Sequence, residues 1–340
     1  MNCVFEANCV KAFGEAIHAL SRIGDDMWLD PMVKGLAVRS VNSSHSAYAC
    51  FLFSPLFFKQ YSPDAAQARD RETLKCKLDF KSVLPLFRCL ASTERNVERC
   101  QISINIPGDQ VTFQFYCRHG IIKTHDLGFH ESEALQAVFL SHLCPNVLKA
   151  PARLLGDTVM QFPVSQEEIT LSMTPLRVDL RNHYEEESDD HTKTVYTEMT
   201  LHPSEFDYFQ NGVDSNITFS LKELKGFMSF ADSHSLPVSV HFGAAGSPVC
   251  FSVDNVVLEA SLVLATPIYP ERRDLSQTAA VQPITSLSRH YPDVICWVLR
   301  NRLCRQLVSV DTDNIAVVPL ITGVEMLWVL QRVHVRLFLL

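Results

Sequence analysis

Apolar residues along the chain recur with two periods, and the two periods succeed one another four times. Apolar positions three and four apart predict an amphipathic helix, whereas every second position apolar predicts a strand half buried in a sheet. The first cycle opens with VKAFGEAIHALSRIG, a helical pattern. It continues with MWLDP, KGLAVRSVN and HSAYACFLFSPLFF, whose alternation and aromatic content predict sheet. The second is DFKSVLPLFRCLAS, followed by ERCQISINI, DQVTFQFYC and IIKTHDLGF. The third is APARLLGDTVMQF, followed by EEITLSMTP, LRVDLRN and TKTVYTEMTL. The fourth is LKELKGFMSFADS, followed by LPVSVHFG, SPVCFSVD and VVLEASLVLAT. In the second and fourth cycles a strand pattern, LKCKL or ITFSL, precedes the helix. Gly35, Gly108, Gly212 and Gly246 fall between strand patterns, as turn residues do.

This repetition predicts an α+β protein of two tandem domains, each built from two helix-plus-strands units. The expected division is a first domain over 1–130, a connector over 131–147, a second domain over 148–267 and an atypical tail over 268–340. Four short helices lie on one side of this plan and two sheets on the other. The acidic run from Tyr184 to Asp190 is expected to be a solvated hairpin loop inside the third unit. Pro85 conflicts with the second helix, so it either occupies a first turn or kinks the helix.

Helical spacing separates a core stripe from a solvent face in each helix. Phe13, Ile17 and Leu20 form the first stripe and leave Lys11, Glu15, His18 and Arg22 opposite. Val83, Leu84, Phe87 and Leu90 turn inward in the second, with Lys81, Pro85 and Arg88 outward. In the third, Ala152, Leu155 and Val159 are expected to be buried, with Arg153 and nearby Lys149 exposed. In the fourth, Leu224, Phe227, Met228 and Ala231 oppose Lys222, Lys225 and Ser229. Every solvent face thus carries a cation, although Glu15 and Asp157 dilute the pattern. One such helix is ordinary. Four equivalent ones suit phosphate contacts that hold a duplex without reading its sequence.

Composition narrows the rest. A net charge of −8 excludes a surface that is basic throughout, so any nucleic-acid contact must be local. The 11 cysteines show no CxxC or regular spacing and are read as reduced thiols of an intracellular protein. The amino-terminal stretch lacks the charged-then-apolar layout of a signal peptide, and no apolar run is long and charge-free enough to span a membrane. Composition breaks near residue 270: residues 271–340 hold eight arginines, six acids and no lysine. That tail reads as foreign to the domain before it, as an alternative or mispredicted terminal exon would be; an ordinary buried helix and a membrane helix disfavoured by its central charges are the alternatives.

Several stretches carry a family resemblance. ALSRIGDDMWLDP, GLAVRSVNSSHSAYACFLFSPLFFKQY and YCRHGIIKTHDL, followed by TEMTLHPSEFDYFQ, ITFSLKELKGFMSFADS and LEASLVLAT, resemble in order the Rad-nine family of checkpoint clamp subunits. The resemblance covers about residues 1–267 and is closer to the B-type paralogue. It implies a sliding-clamp fold in a DNA-encircling heterotrimer with Rad-one-like and Hus-one-like subunits. The ring is placed by a checkpoint clamp loader and recruits a checkpoint kinase activator and repair factors. The implied channel residues are Lys11, His18, Arg22, Lys81, Arg88, Lys149, Arg153, Lys222 and Lys225. The connector, with Leu135, Val138 and Phe139, would border a client groove. No catalysis, metal or cofactor is implied, and the location would be nuclear. Family members carry a serine-rich tail with an import signal; this apolar tail departs from that, putting activator docking and independent import in doubt.

Two other readings remain open. One is a DNA-independent scaffold. The other is a metal-dependent nuclease, for which Cys117, His119 and His125 fit no standard zinc spacing and Asp25 and Asp26 look like turn residues.

Overall fold

The computed structural model describes residues 1–63, 76–88, 95–105, 108–132, 137, 139–163, 165–182 and 196–268. The acidic run, the tail from residue 269, and Leu90, Leu135 and Val138 lie outside the described residues. No helix among the described residues is long and apolar enough to cross a membrane.

The chain begins with β1 (Asn2–Glu6), α1 (Ala7–Leu20), β2 (Asp26–Met32), β3 (Gly35–Val41), β4 (Ala47–Phe53) and β5 (Gln60–Ser62). The second unit is β6 (Cys76–Asp79), α2 (Phe80–Val83), β7 (Val97–Asn105), β8 (Gln110–Cys117), β9 (Ile122–Gly128) and β10 (His130–Glu131). The third is β11 (Asn146–Ala150), α3 (Ala152–Met160), β12 (Glu168–Met173), β13 (Val178–Asn182), β14 (Glu198–Leu201) and β15 (Tyr208–Gln210). The fourth is β16 (Ser215–Ser220), α4 (Leu221–Ser233), β17 (Val238–Phe242), β18 (Val249–Asp254) and β19 (Leu258–Leu264).

The strand before each helix leaves its own unit. β1 pairs with β7 and β6 with β2, while β11 pairs with β17 and β16 with β12, all antiparallel. Each helix therefore bridges two sheets, and neither unit of a pair is complete alone. β4 and β19 then pair from Ala47↔Leu264 to Phe53↔Leu258. That ladder fuses strands of both halves into one ten-stranded sheet, flanked by sheets of five and four strands.

Phenylalanines fill the first half. Phe13 of α1 lies 5.3 Å from Phe5, 5.1 Å from Phe53 and 5.8 Å from Phe87, ring centre to ring centre. Such tilted rings add to the burial of their large apolar area. Phe51 of β4 crosses to the second half and meets Phe230 of α4 edge-on at 4.8 Å. The helix stripes face these sheets: Phe13, Ile17, Leu20, Val83, Phe87, Leu155, Val159, Leu224 and Phe227 are all buried.

Departures from the sequence pattern have local causes. β1 has only Cys3 and Phe5 turned inward, and α1 follows it without a polar break. In β11 the inward positions are Asn146, Leu148 and Ala150, so a buried polar residue disguises the alternation. α2 stops at Val83 and continues as a 3₁₀ turn over Leu84–Phe87 with Pro85 at its start. Proline lacks the N–H and crowds the preceding turn of an α-helix, which accounts for the change. Gly35 has φ 133°, and a Cβ there would sit 2.0 Å from the Phe53 carbonyl oxygen, so the β2–β3 turn requires glycine.

Candidate nucleic-acid interface

The helices form one layer. α1 packs on the 3₁₀ turn after α2 and on α4, and α4 packs on α3, giving the order α2, α1, α4, α3. Because every helix buries its apolar stripe against the sheets, the opposite faces share one side of the molecule. Arg22, Lys81, Arg88, Arg153 and Lys222 are exposed there. Asp79 caps α2, its carboxylate accepting from the Lys81 N–H at 2.8 Å, which sets the first turn that carries Lys81.

The remaining candidates are held differently. Lys11 is half-buried near Glu15. His18 donates through Nε2 to the Phe87 carbonyl at 3.1 Å, tying α1 to the turn after α2. Lys225 donates to the Phe162 carbonyl at 3.0 Å, and burial lowers the pKa of its ammonium. Its ammonium is thus engaged by a backbone carbonyl rather than standing free on the helix face. Arg153 lies 3.7 Å from Asp157 on the next turn, both exposed, so solvent and salt screen the pair.

Lys149 does not belong to the helix layer. It sits on β11 between Leu148 and Ala150, both buried, and Leu148 shares an apolar cavity wall with Leu155, Val159, Leu224 and Met228 of α3 and α4. With a side-chain period of two, Lys149 must point to the sheet's other face. Its nearness to Arg153 in sequence suggested otherwise, and the unrecognised strand is the reason.

Glu15 is not a stray acid on the cationic face. Its carboxylate lies 2.9 Å from His234 Nε2, an ion-pair contact without hydrogen-bond alignment, and accepts from Ser233 Oγ at 3.2 Å, across the seam with α4. His234, then Ser233 and Lys11, hold its pKa below the ordinary carboxylate value despite partial burial. At the other end of the seam the Arg22 side chain crosses Gly226, where a Cβ would come within 2.6 Å of Arg22 Cδ.

On the far face of the ten-stranded sheet, Val41, Tyr48, Cys250, Val263 and Ala265 form a second apolar cluster. Cys50, Ala137 and Phe139 pack against it. Phe139 thus covers the joint between the halves. Burial pushes the Cys250 thiol up to about 12, so it fills space rather than acting as a nucleophile. The described cysteines are all free thiols.

The residues considered for a metal do not converge. Cys117 is buried at the end of β8, His119 is exposed in a turn with φ 62°, and His125 packs edge-on against Phe115. Among the described residues no three His, Cys, Asp or Glu side chains are grouped to hold an ion.

β9 is an open sheet edge. Among the described residues it pairs only with β8; most of its residues are exposed, and Ile122 at its start and Ile121 just before it are 56% and 55% exposed. β14 is the corresponding open edge of the four-stranded sheet. Sequence periodicity does not mark either edge, because pairing across a sheet is a property of the assembled fold.

A family model described as Rad9 matches residues 13–267. The cell cycle checkpoint control protein Rad9 of Drosophila melanogaster is 25% identical over 267 residues, covering 78% of this chain and 56% of that protein. The DNA repair protein rad9 of Schizosaccharomyces pombe is 24% identical over 290 residues, covering 76% of this chain and 68% of that protein. The chain thus spans little more than half of the Drosophila relative. Among solved structures, the PCNA2–PCNA3 complex of Sulfolobus tokodaii superposes with a TM-score of 0.61 at 13% identity, covering 78% of this chain and 99% of that one. Proliferating cellular nuclear antigen of Entamoeba histolytica gives 0.61 at 15% identity, over 78% and 98%. The fold is that of the sliding clamps.

Proposed function

The chain belongs to the Rad9 family, and we propose from that premise that it is a non-catalytic subunit of a heterotrimeric, DNA-encircling checkpoint clamp. Two clamp domains, over 1–130 and 148–267 with the connector between them, would supply part of a ring with Rad-one-like and Hus-one-like subunits. The observation that carries the reading is the single helix layer with its exposed cations on an otherwise acidic chain. Phosphate contacts from such a layer carry no base information and let a ring slide. The open edges β9 and β14 support assembly, since unpaired strand edges are normally covered or paired.

Loading by a checkpoint clamp loader, recruitment of repair factors at the Phe139 face, and a nuclear location are parts of the same proposal. The tail over 268–340 has no acidic serine cluster and no lysine.

Co-expression of the full chain with Rad-one and Hus-one subunits, followed by size-exclusion chromatography, tests the assembly. A stable 1:1:1 complex that is retained on circular DNA and lost on linearisation is the expected result. A folded chain that enters no complex would overturn the clamp reading. A complex that ignores DNA topology would favour a DNA-independent scaffold.

A further inference from the structure

The two halves of the chain are tied twice, by unlike means. The β4–β19 ladder ties them through backbone hydrogen bonds. The second tie is the seam between α1 and α4, where side chains from positions more than 200 residues apart meet. At one end of this seam Glu15 reaches His234 and Ser233, and at the other Arg22 lies over Gly226. Glu15 lies on α1 and Arg22 seven residues on, in the turn just past its end, while Gly226 and Ser233 are two turns of α4 apart. The order is reversed between them, so the helices run antiparallel along the seam.

A strand ladder resists sliding but bends readily about its long axis. Resistance to bending must come from a contact displaced from the ladder, and the helix layer is displaced by the thickness of the core. We propose that Glu15 is a positioning residue whose clasp on His234 and Ser233 fixes the angle between the two halves, and that opening it lets the halves rock about the β4–β19 ladder.

The surroundings of the clasp agree with this role. The groove along the seam is lined by Glu15, His18, Arg22, Ser229, Phe230 and Ser233, with Gly226 at its floor. Its charged neighbours on α1 and the turn after it are Lys11 and Arg22, while His18 is engaged by Phe87. Among the described residues that line the groove Glu15 is the one carboxylate; Ser233 Oγ also has the Phe230 carbonyl at 2.8 Å within α4. His234 is fixed from behind by Phe230, 4.6 Å between ring centres, and Phe230 in turn meets Phe51 of β4. The clasp is thereby connected through rigid rings to the ladder it steadies.

The test is amide hydrogen exchange on the full chain at one pH, comparing wild type with Glu15→Gln, His234→Gln and the double variant. Glu15→Gln keeps an acceptor for Ser233 and removes the charge. Each single variant is expected to speed exchange in α1 and α4 and along the β4–β19 ladder by roughly fivefold. The double variant is expected to match the singles rather than multiply them, because one contact is lost in all three. The swap of Glu15→His with His234→Glu should restore slow exchange, which general loosening would not do. Effects that multiply, a swap that fails to restore protection, or faster exchange confined to the α4 terminus would overturn the proposal. The readout needs neither DNA nor partner subunits, so it stands or falls apart from the clamp reading.

Discussion

Asn146 shows how one side chain can organise a region. It is fully buried, and its four side-chain hydrogen bonds go to Gly212, Val213 and Ser215 at the entry to β16. Its Oδ1 accepts from the N–H groups of Gly212 and Val213 at 3.0 and 3.1 Å, while Nδ2 donates to the Val213 carbonyl and Ser215 Oγ at 2.9 and 2.8 Å. Asn146→Ala removes the acceptor of two backbone N–H groups and leaves a gap at a fully buried position, at a cost of about 2–3 kcal/mol. Thermal unfolding should shift down by roughly 5–10 °C; a melt within a degree of wild type would refute this role. Asn146→Asp keeps the acceptor but turns a carboxylate toward the Val213 carbonyl, so it should not rescue. A second buried polar group, the Asp30–Arg39 ion pair, follows a different rule. Asp30→Asn strands a buried guanidinium and should cost about 3–5 kcal/mol, whereas Asp30→Leu with Arg39→Met should cost less than that single change. Chemical denaturation of the three variants decides it.

At the scale of elements, β9 offers the most exposed ladder. Ile121→Asp with Ile122→Asp changes residues that are more than half exposed, so the isolated chain should keep its stability within about 0.5 kcal/mol. Paired against a neighbouring subunit the same aspartates would be buried without partners, and affinity should fall at least about tenfold. Analytical ultracentrifugation of the co-expressed subunits checks both halves of that statement. The same element shows what periodicity reveals and what it hides. The four helix stripes and the twelve strands that follow them were legible, because apolar spacing reports a local face directly. β1 and β11 were not, since β1 is short and joined to a helix and β11 turns Asn146 inward. The strand exchange, the β4–β19 ladder and the clasp at Glu15 join residues distant in sequence, and no local pattern encodes them. Lys149 was misplaced for the same reason: its orientation follows from a strand that the pattern did not show.

On the whole molecule, charge is distributed rather than excessive. The chain carries a net −8, yet the helix layer presents Arg22, Lys81, Arg88, Arg153 and Lys222 to solvent. A ring needs cations only where a duplex passes, and the acidic remainder discourages wrapping of nucleic acid around the outside. Lys81→Glu with Arg88→Glu should shorten retention of the assembled complex on closed circular DNA. If both residues meet phosphates, the slope of log affinity against log salt should fall in magnitude by about 2, one for each lost contact. Lys149→Glu is the matched control. It makes one charge reversal against the two of the helix variant, on an exposed lysine, but β11 aims that side chain away from the helix layer, so retention and slope should stay at wild-type values. A loss from Lys149→Glu in proportion to its single reversal would mean that the duplex senses total charge rather than a face. Loss from the helix variant alone would locate the contact on the layer that the four amphipathic patterns build.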